Sequence, residues 1–143
     1  MKKTTKILTF TFIIISSLAF AKHPINHGLW NQVLIKHVSA NGNVNYEGIK
    51  SDLNFKKYIT ILSVNPPTET WTEQEKLTYW INAYNAFTVQ LILDHYPVKS
   101  IKDIGTLTKG PWDMKFIKIG TDTYSLGDIE HEILRKQFNE PRI

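Results

Sequence analysis

His131-Glu132-Ile133-Leu134-Arg135 comes within one residue of H-E-x-x-H, the helical motif that sets two imidazoles on one face to bind zinc beside a glutamate base. Arginine at position 135 cannot replace the second histidine as a ligand, so the sequence does not describe a zinc protease. His131 remains a candidate general base, which needs a nucleophile within hydrogen-bond reach. No Ser or Thr stands in a recognisable nucleophile setting, and the chain has no cysteine. Glu130, His131 and Glu132 read equally as a charged, solvated helix face.

Binding has more candidates than catalysis. Asn82 and Asn85 lie three apart within a strongly apolar helical stretch and so share a flank. A side-chain amide buried without partners costs about 1–3 kcal/mol, so the pair is expected to be buried and hydrogen-bonded to backbone between Val98 and Trp112. Two roles stay open for them: clamping that loop, or lining a ligand site. Trp112 and Asp113, in Pro111-Trp112-Asp113, are the best loop candidates for the edge of a site, because loop aromatics and acids on a rigid scaffold often carry binding. Trp30, Trp71 and Trp80 read as core. Gly105 and Gly110 are spaced wrongly for a phosphate loop, and no metal or cofactor is expected.

The element that must position these residues is a central helix over residues 72–96. Thr72 and Glu75 form a capping box, and Tyr96-Pro97 stops the helix. Leu77, Trp80, Ile81, Tyr84, Thr88, Leu91 and Ile92 make one strip at helical spacing, and Tyr79, Ala86, Val89 and Leu93 a second. Both sides are expected to be buried. At ~1.5 Å per residue the rod is ~36 Å long. Before it, an amphipathic helix from Leu29 ends near Ser39, Asn41-Gly42 turns the chain, and residues 46–64 read as one helix or two meeting near Asn54. After it come a short helical turn capped by Ser100, a β-hairpin over about 114–125, and a last helix from Leu126 to Phe138. The fold class is α+β, mostly helical, in one domain over residues 22–143.

Residues 1–21 read as a secretory signal peptide. Lys2, Lys3 and Lys6 precede an apolar run from Ile7 to Phe20, and Ala19-Phe20-Ala21 is an A-x-A cleavage site before Lys22. The run is short for a membrane span, so no stable span is expected after cleavage, and the location is periplasmic or secreted. Those three lysines account for three of the four net positive charges, which leaves the mature chain at +1. Without a basic stripe, nucleic-acid binding is not expected.

Pro141-Arg142-Ile143 stands where an extended segment is expected, so the domain reads as incomplete. A two-stranded hairpin is marginal alone. An open apolar face is therefore expected beside the hairpin and the last helix, larger than the ~300–600 Å² of an ordinary monomer's largest patch, and with it self-association.

Taken in order, several motifs resemble one family. Trp80-Ile81-Asn82-Ala83-Tyr84-Asn85-Ala86, Tyr96-Pro97-Val98, Ser100-Ile101, Pro111-Trp112, Ser125-Leu126, the stretch from Ile129 to Arg135, and Pro141-Arg142-Ile143 are similar to domain of unknown function 547 (DUF547). Asn45 and Gly127 depart from it, standing where the family commonly has Asp. The resemblance implies a following segment with a histidine, one or two cysteines and further helices. It also implies likeness to thiol hydrolases of papain-like architecture, in which a downstream cysteine is the nucleophile and His131 its partner by analogy. It implies no substrate. Two functions thus stand side by side: an exported non-catalytic module binding a ligand or protein, and the front part of a thiol-hydrolase-like domain without its nucleophile segment.

Overall fold

Thr72 and Glu75 close the start of the central helix from both directions. The Glu75 N–H donates to Thr72 Oγ1 at 3.2 Å, and the Thr72 N–H donates to Glu75 Oε2 at 2.7 Å. The helix that follows, α4, runs Glu73–Asp94 in a computed structural model that describes residues 24–141. Residues 1–23, which carry the expected signal peptide and its cleavage site, and Arg142 and Ile143 lie outside the described residues.

Three helices precede α4: α1 (Gly28–His37), α2 (Tyr46–Ser51) and α3 (Leu53–Val64). Two 3₁₀ turns follow it, Ile101–Asp103 and Pro111–Asp113, and then strands β1 (Ile117–Ile119) and β2 (Asp122–Tyr124). A π-helix over Asp128–Leu134 continues into α5, Arg135–Gln137. The fold is α+β and mostly helical, with a two-stranded antiparallel sheet pairing Ile117 with Tyr124 and Ile119 with Asp122.

Local chemistry moves several boundaries from where periodicity puts them. Helices α2 and α3 meet at Asp52 rather than Asn54, because Asp52 takes extended backbone and its Oδ1 accepts the Asn54 N–H at 2.8 Å. The paired part of the hairpin, residues 117–124, is shorter than the 114–125 expected, because the first strand starts only at Ile117. Gly120 supplies the positive φ of 62° that its two-residue loop needs, with Ile119 and Asp122 pairing on either side of it. Ser125 and Asp128 cap the last helix reciprocally, at 2.6 and 3.0 Å, as their spacing predicts. Its π geometry is not foreseen by an α-helical period.

Aromatic rings bind the layers together. Trp30 of α1 stacks on Tyr58 of α3 with centroids 5.7 Å apart. Trp71, Tyr79, Trp80 and Tyr124 form an edge-to-face series from the α4 entry to β2. Such pairs contribute about 0.5–1.5 kcal/mol each beyond their area burial. The Tyr79 hydroxyl donates to the Leu62 carbonyl at 2.8 Å, and the Gly120 N–H donates to the Ser63 carbonyl at 2.7 Å, so both α4 and the hairpin grip the end of α3.

Two expectations about burial are corrected. Helix α4 is buried on one side, through Tyr79, Trp80, Ala83, Ala86, Phe87, Leu91 and Leu93. On the other side Ile81, Val89 and Ile92 pack against the core with one edge and remain half-exposed. The apolar patch expected beside the hairpin is not found there. Ile117 and Ile119 turn under the sheet, and Ile133, Leu134 and Phe138 turn into the core. The large apolar side chains most open to solvent among the described residues are instead Leu34 and Ile35 of α1, Leu53 and Val64 at the two ends of α3, and Leu107.

Candidate functional site

Of the residues that the sequence singles out, Asn82 and Asn85 lie at the middle of α4 and Trp112 stands near its Tyr84, but not as expected. Asn85 is exposed and Asn82 half-exposed, and neither amide makes a hydrogen bond among the described residues. They do not clamp the segment from Val98 to Trp112. The burial argument fails because the helix face carrying them is uncovered, so water satisfies the amides at no desolvation cost.

Trp112 is half-buried, and its indole lies close enough to the Tyr84 hydroxyl on α4 to influence that group's ionisation. The same hydroxyl donates to Glu130 Oε2 at 3.3 Å, and Glu130 Oε1 holds Arg135 Nη2 at 2.7 Å. Glu130 and Arg135 are five apart, a separation that π geometry, with its i→i+5 hydrogen bonds, brings nearly into line. Burial raises the Tyr84 hydroxyl above the ordinary phenol range, partly offset by the Trp112 indole, with the Glu130 carboxylate adding to the rise. The hydroxyl therefore stays protonated and serves as a donor.

The backbone fixes this junction closely. A Cβ on Gly127 would stand 3.0 Å from the Trp112 carbonyl oxygen, so the start of the last helix packs directly under the Trp112 turn. Asp113 is exposed and spends one carboxylate oxygen on the Gly110 N–H at 3.2 Å, closing that same turn. His131 is exposed and has no hydrogen-bond partner among the described residues. Tyr84, Glu130 and Arg135 read in the sequence as apolar strip and solvated face. Their role as a wired group needs the π spacing to be seen.

A second polar group lies away from these residues. His37 and Asp52 are both buried, with His37 Nε2 at 2.8 Å from Asp52 Oδ2. The same oxygen receives Lys36 Nζ at 2.9 Å. The His37 bond, then Lys36, then the Asn54 N–H hold the Asp52 carboxyl well below the usual carboxylate range, against the effect of burial. An ionised Asp52 only accepts, so His37 Nε2 is the donor in this bond. Nδ1 is buried and without a partner. It lies 2.7 Å from where a Cβ on Gly48 would be, so that glycine lets α2 pass directly over the ring. His37 shares a helical stripe with Trp30 and Val33, which is the signal in the sequence that could have found it.

Among the described residues, no group of three or more His, Asp or Glu side chains is placed to hold a metal ion, and no helix is long and apolar enough to cross a membrane.

The sequence model of the family described as protein of unknown function, DUF547, matches residues 68–143. The chain belongs to the DUF547 family. The match takes in α4, the Trp112 turn, the hairpin and the last helix, so Tyr84, Trp112, Glu130 and Arg135 all lie within the DUF547 region, whereas His37 and Asp52 precede it. No curated protein and no solved structure matches this chain.

Proposed function

We propose that this DUF547 protein is an exported, non-catalytic interaction module whose recognition surface is the partly covered side of α4 around Asn82 and Asn85, bordered by Trp112 and Asp113. One observation carries the reading. From Leu77 to Leu93 the helix has no charged residue, although its side around Asn85 is only partly covered, with Asn85 exposed and Ile81, Asn82, Thr88, Val89 and Ile92 half-exposed. Water-facing helix surfaces ordinarily carry Lys, Glu or Arg, and uncharged ones with aromatics at the border are typical of interface cores. Trp112, whose indole neighbours the Tyr84 hydroxyl one turn before Thr88, borders that side of the helix. The exposure of His131 and the lack of a cysteine in the chain favour binding over thiol chemistry.

Export rests on the leader over residues 1–21, and intact-mass measurement of the protein from cells should find Lys22 at its N-terminus. A product retaining Met1 in the cytoplasm would remove the exported part of the proposal. The recognition surface is tested by a photo-crosslinking amino acid at position 85 in the full chain, with position 57 on α3 as the control. Lys57 is exposed and remote from the flank in sequence. Adducts formed in cells from position 85 and not from 57 support the surface. Absence of any adduct from 85 rejects it.

A further inference from the structure

His27 stands at the start of α1, yet its side chain does not cap that helix. The first helical N–H, that of Gly28, is taken by Asn26 Oδ1 at 2.7 Å. The His27 ring turns instead to α3, where Nδ1 lies 2.6 Å from the Tyr58 hydroxyl. Tyr58 is fully buried, and this is the one hydrogen bond of its hydroxyl among the described residues.

A phenol has one hydrogen to give, and burial holds the Tyr58 hydroxyl above the ordinary phenol range, so it stays protonated. A neutral imidazole can accept that hydrogen on Nδ1. An imidazolium is a donor at both nitrogens and cannot. Protonated His27 would meet the hydroxyl only as a donor, which leaves the phenol hydrogen buried without an acceptor. The new charge would also stand at the N-terminus of α1, where the helix dipole is itself positive.

Little around the ring offsets this among the described residues. From α3 the titratable group that faces it is Tyr58, and the neighbouring Tyr79 of α4 is likewise kept protonated by burial. Across a cavity of about 120 Å³ lined also by Pro24, Ile25 and Trp71, α4 presents Glu75. That carboxylate is already engaged by the Thr72 N–H and hydroxyl, at 2.7 and 2.8 Å. On its own segment the residues from Pro24 to Leu29 carry no other ionisable side chain. The cavity is large enough to admit water, which gives a proton its route to the ring.

We infer that His27 and Tyr58 form an acid-released latch, which holds the segment from Pro24 to the first turn of α1 against α3 and α4 while the imidazole is neutral and frees it when the imidazole is protonated. Opening uncovers Trp71 and the Tyr58 ring, an aromatic surface presented only in acid. Burial lowers the His27 pKa from its ordinary value, so the closed state binds the proton less readily than the opened one. The latch is therefore closed above about pH 6.5 and is weakened as pH falls below it toward the closed-state value. Opening takes up one proton, so the opened fraction rises about tenfold per pH unit across that window.

Histidine resonances followed against pH read the latch in the unaltered protein, and their comparison with His27→Gln identifies the one from position 27. That resonance should titrate below about 6.5. In Tyr58→Phe, which keeps the ring but has no hydroxyl hydrogen to place, its midpoint should move up. The Asn31 N–H donates to the His27 carbonyl at 3.1 Å and reports on the first turn. Its protection from exchange, referred to the intrinsic rate at each pH, should fall about tenfold per pH unit in the parent. It should stay flat in His27→Gln, whose side-chain oxygen accepts the hydroxyl at every pH. A His27 midpoint at the ordinary histidine value, a midpoint unmoved by Tyr58→Phe, or equal loss of protection in parent and His27→Gln overturns the inference. Protection in the parent that does not change as pH falls through the window overturns it whether or not either variant folds.

Discussion

His37 Nε2 and Asp52 Oδ2 lie 2.8 Å apart in the interior, tying the last residue of α1 to the junction of α2 and α3. Asp52 also caps α3, so one carboxylate serves three helices. Asp52→Ala should destabilise the protein by about 1–3 kcal/mol, the range for leaving a buried polar group without its hydrogen-bond partner. Urea unfolding followed by tryptophan fluorescence reads this directly. A change under about 1 kcal/mol would mean that water already solvates the pair.

The same carboxylate makes stability sensitive to acid. His37 first, then Lys36 and the Asn54 N–H, depress its folded pKa below the unfolded value. Its contribution is therefore complete above the unfolded pKa of about 3.9 and is lost as pH falls below that toward the folded value. Asp128, lowered by the Ser125 N–H and then Lys115, acts in the same direction. Unfolding free energy should decline between about pH 4 and pH 2, and Asp52→Asn should flatten that slope while lowering stability at pH 7. Equal slopes for parent and variant would remove Asp52 as the cause.

Two glycines of one loop should respond oppositely to alanine. Gly105 has φ +141°, and a Cβ there would stand 2.5 Å from the Lys109 carbonyl oxygen. Gly105→Ala should cost about 2 kcal/mol, through left-handed strain and a clash with rigid backbone. Gly110 has φ −75° and its nearest Cβ neighbour is an Asp113 carboxylate oxygen at 3.5 Å, so Gly110→Ala should be neutral or slightly stabilising. Thermal melts of the pair decide the matter, and equal effects would contradict the loop geometry.

Asn82→Leu should leave the monomer's stability within about 0.5 kcal/mol of the parent, as for other surface substitutions away from special features. A loss of 1–3 kcal/mol in dilute chemical unfolding would instead restore the buried amide network that the sequence alone suggests.

What could be read from the sequence was what neighbouring residues decide between themselves. The Thr72–Glu75 box, the Ser125–Asp128 cap and the Ser100 cap on the turn at Ile101 are local, and each forms as its spacing requires. The Asn82–Asn85 pair was misread because burial depends on what covers a helix, and periodicity reports only that a side is apolar. His37 and Asp52 are fifteen residues apart on different helices, so their pairing is a fact of packing. Trp112 and Asp113 could be picked out as a loop with an aromatic and an acid. That Trp112 reaches Tyr84, and through it Glu130 and Arg135, depends on a π-helical spacing with no signature in the hydrophobic pattern.

The grip of α4 and the hairpin on the end of α3 bears on where this protein can be divided. The stretch recognised as DUF547 starts at residue 68, just past Leu62 and Ser63, whose carbonyls receive the Tyr79 hydroxyl and the Gly120 N–H. A gene fragment begun at the recognised boundary would strip both acceptors from their donors, along with the rings of Trp30, Phe55 and Tyr58 that fill the same core. The segment that descent preserves as a recognisable pattern is thus smaller than the segment that must fold together, and expression trials should start before Pro24 rather than at residue 68.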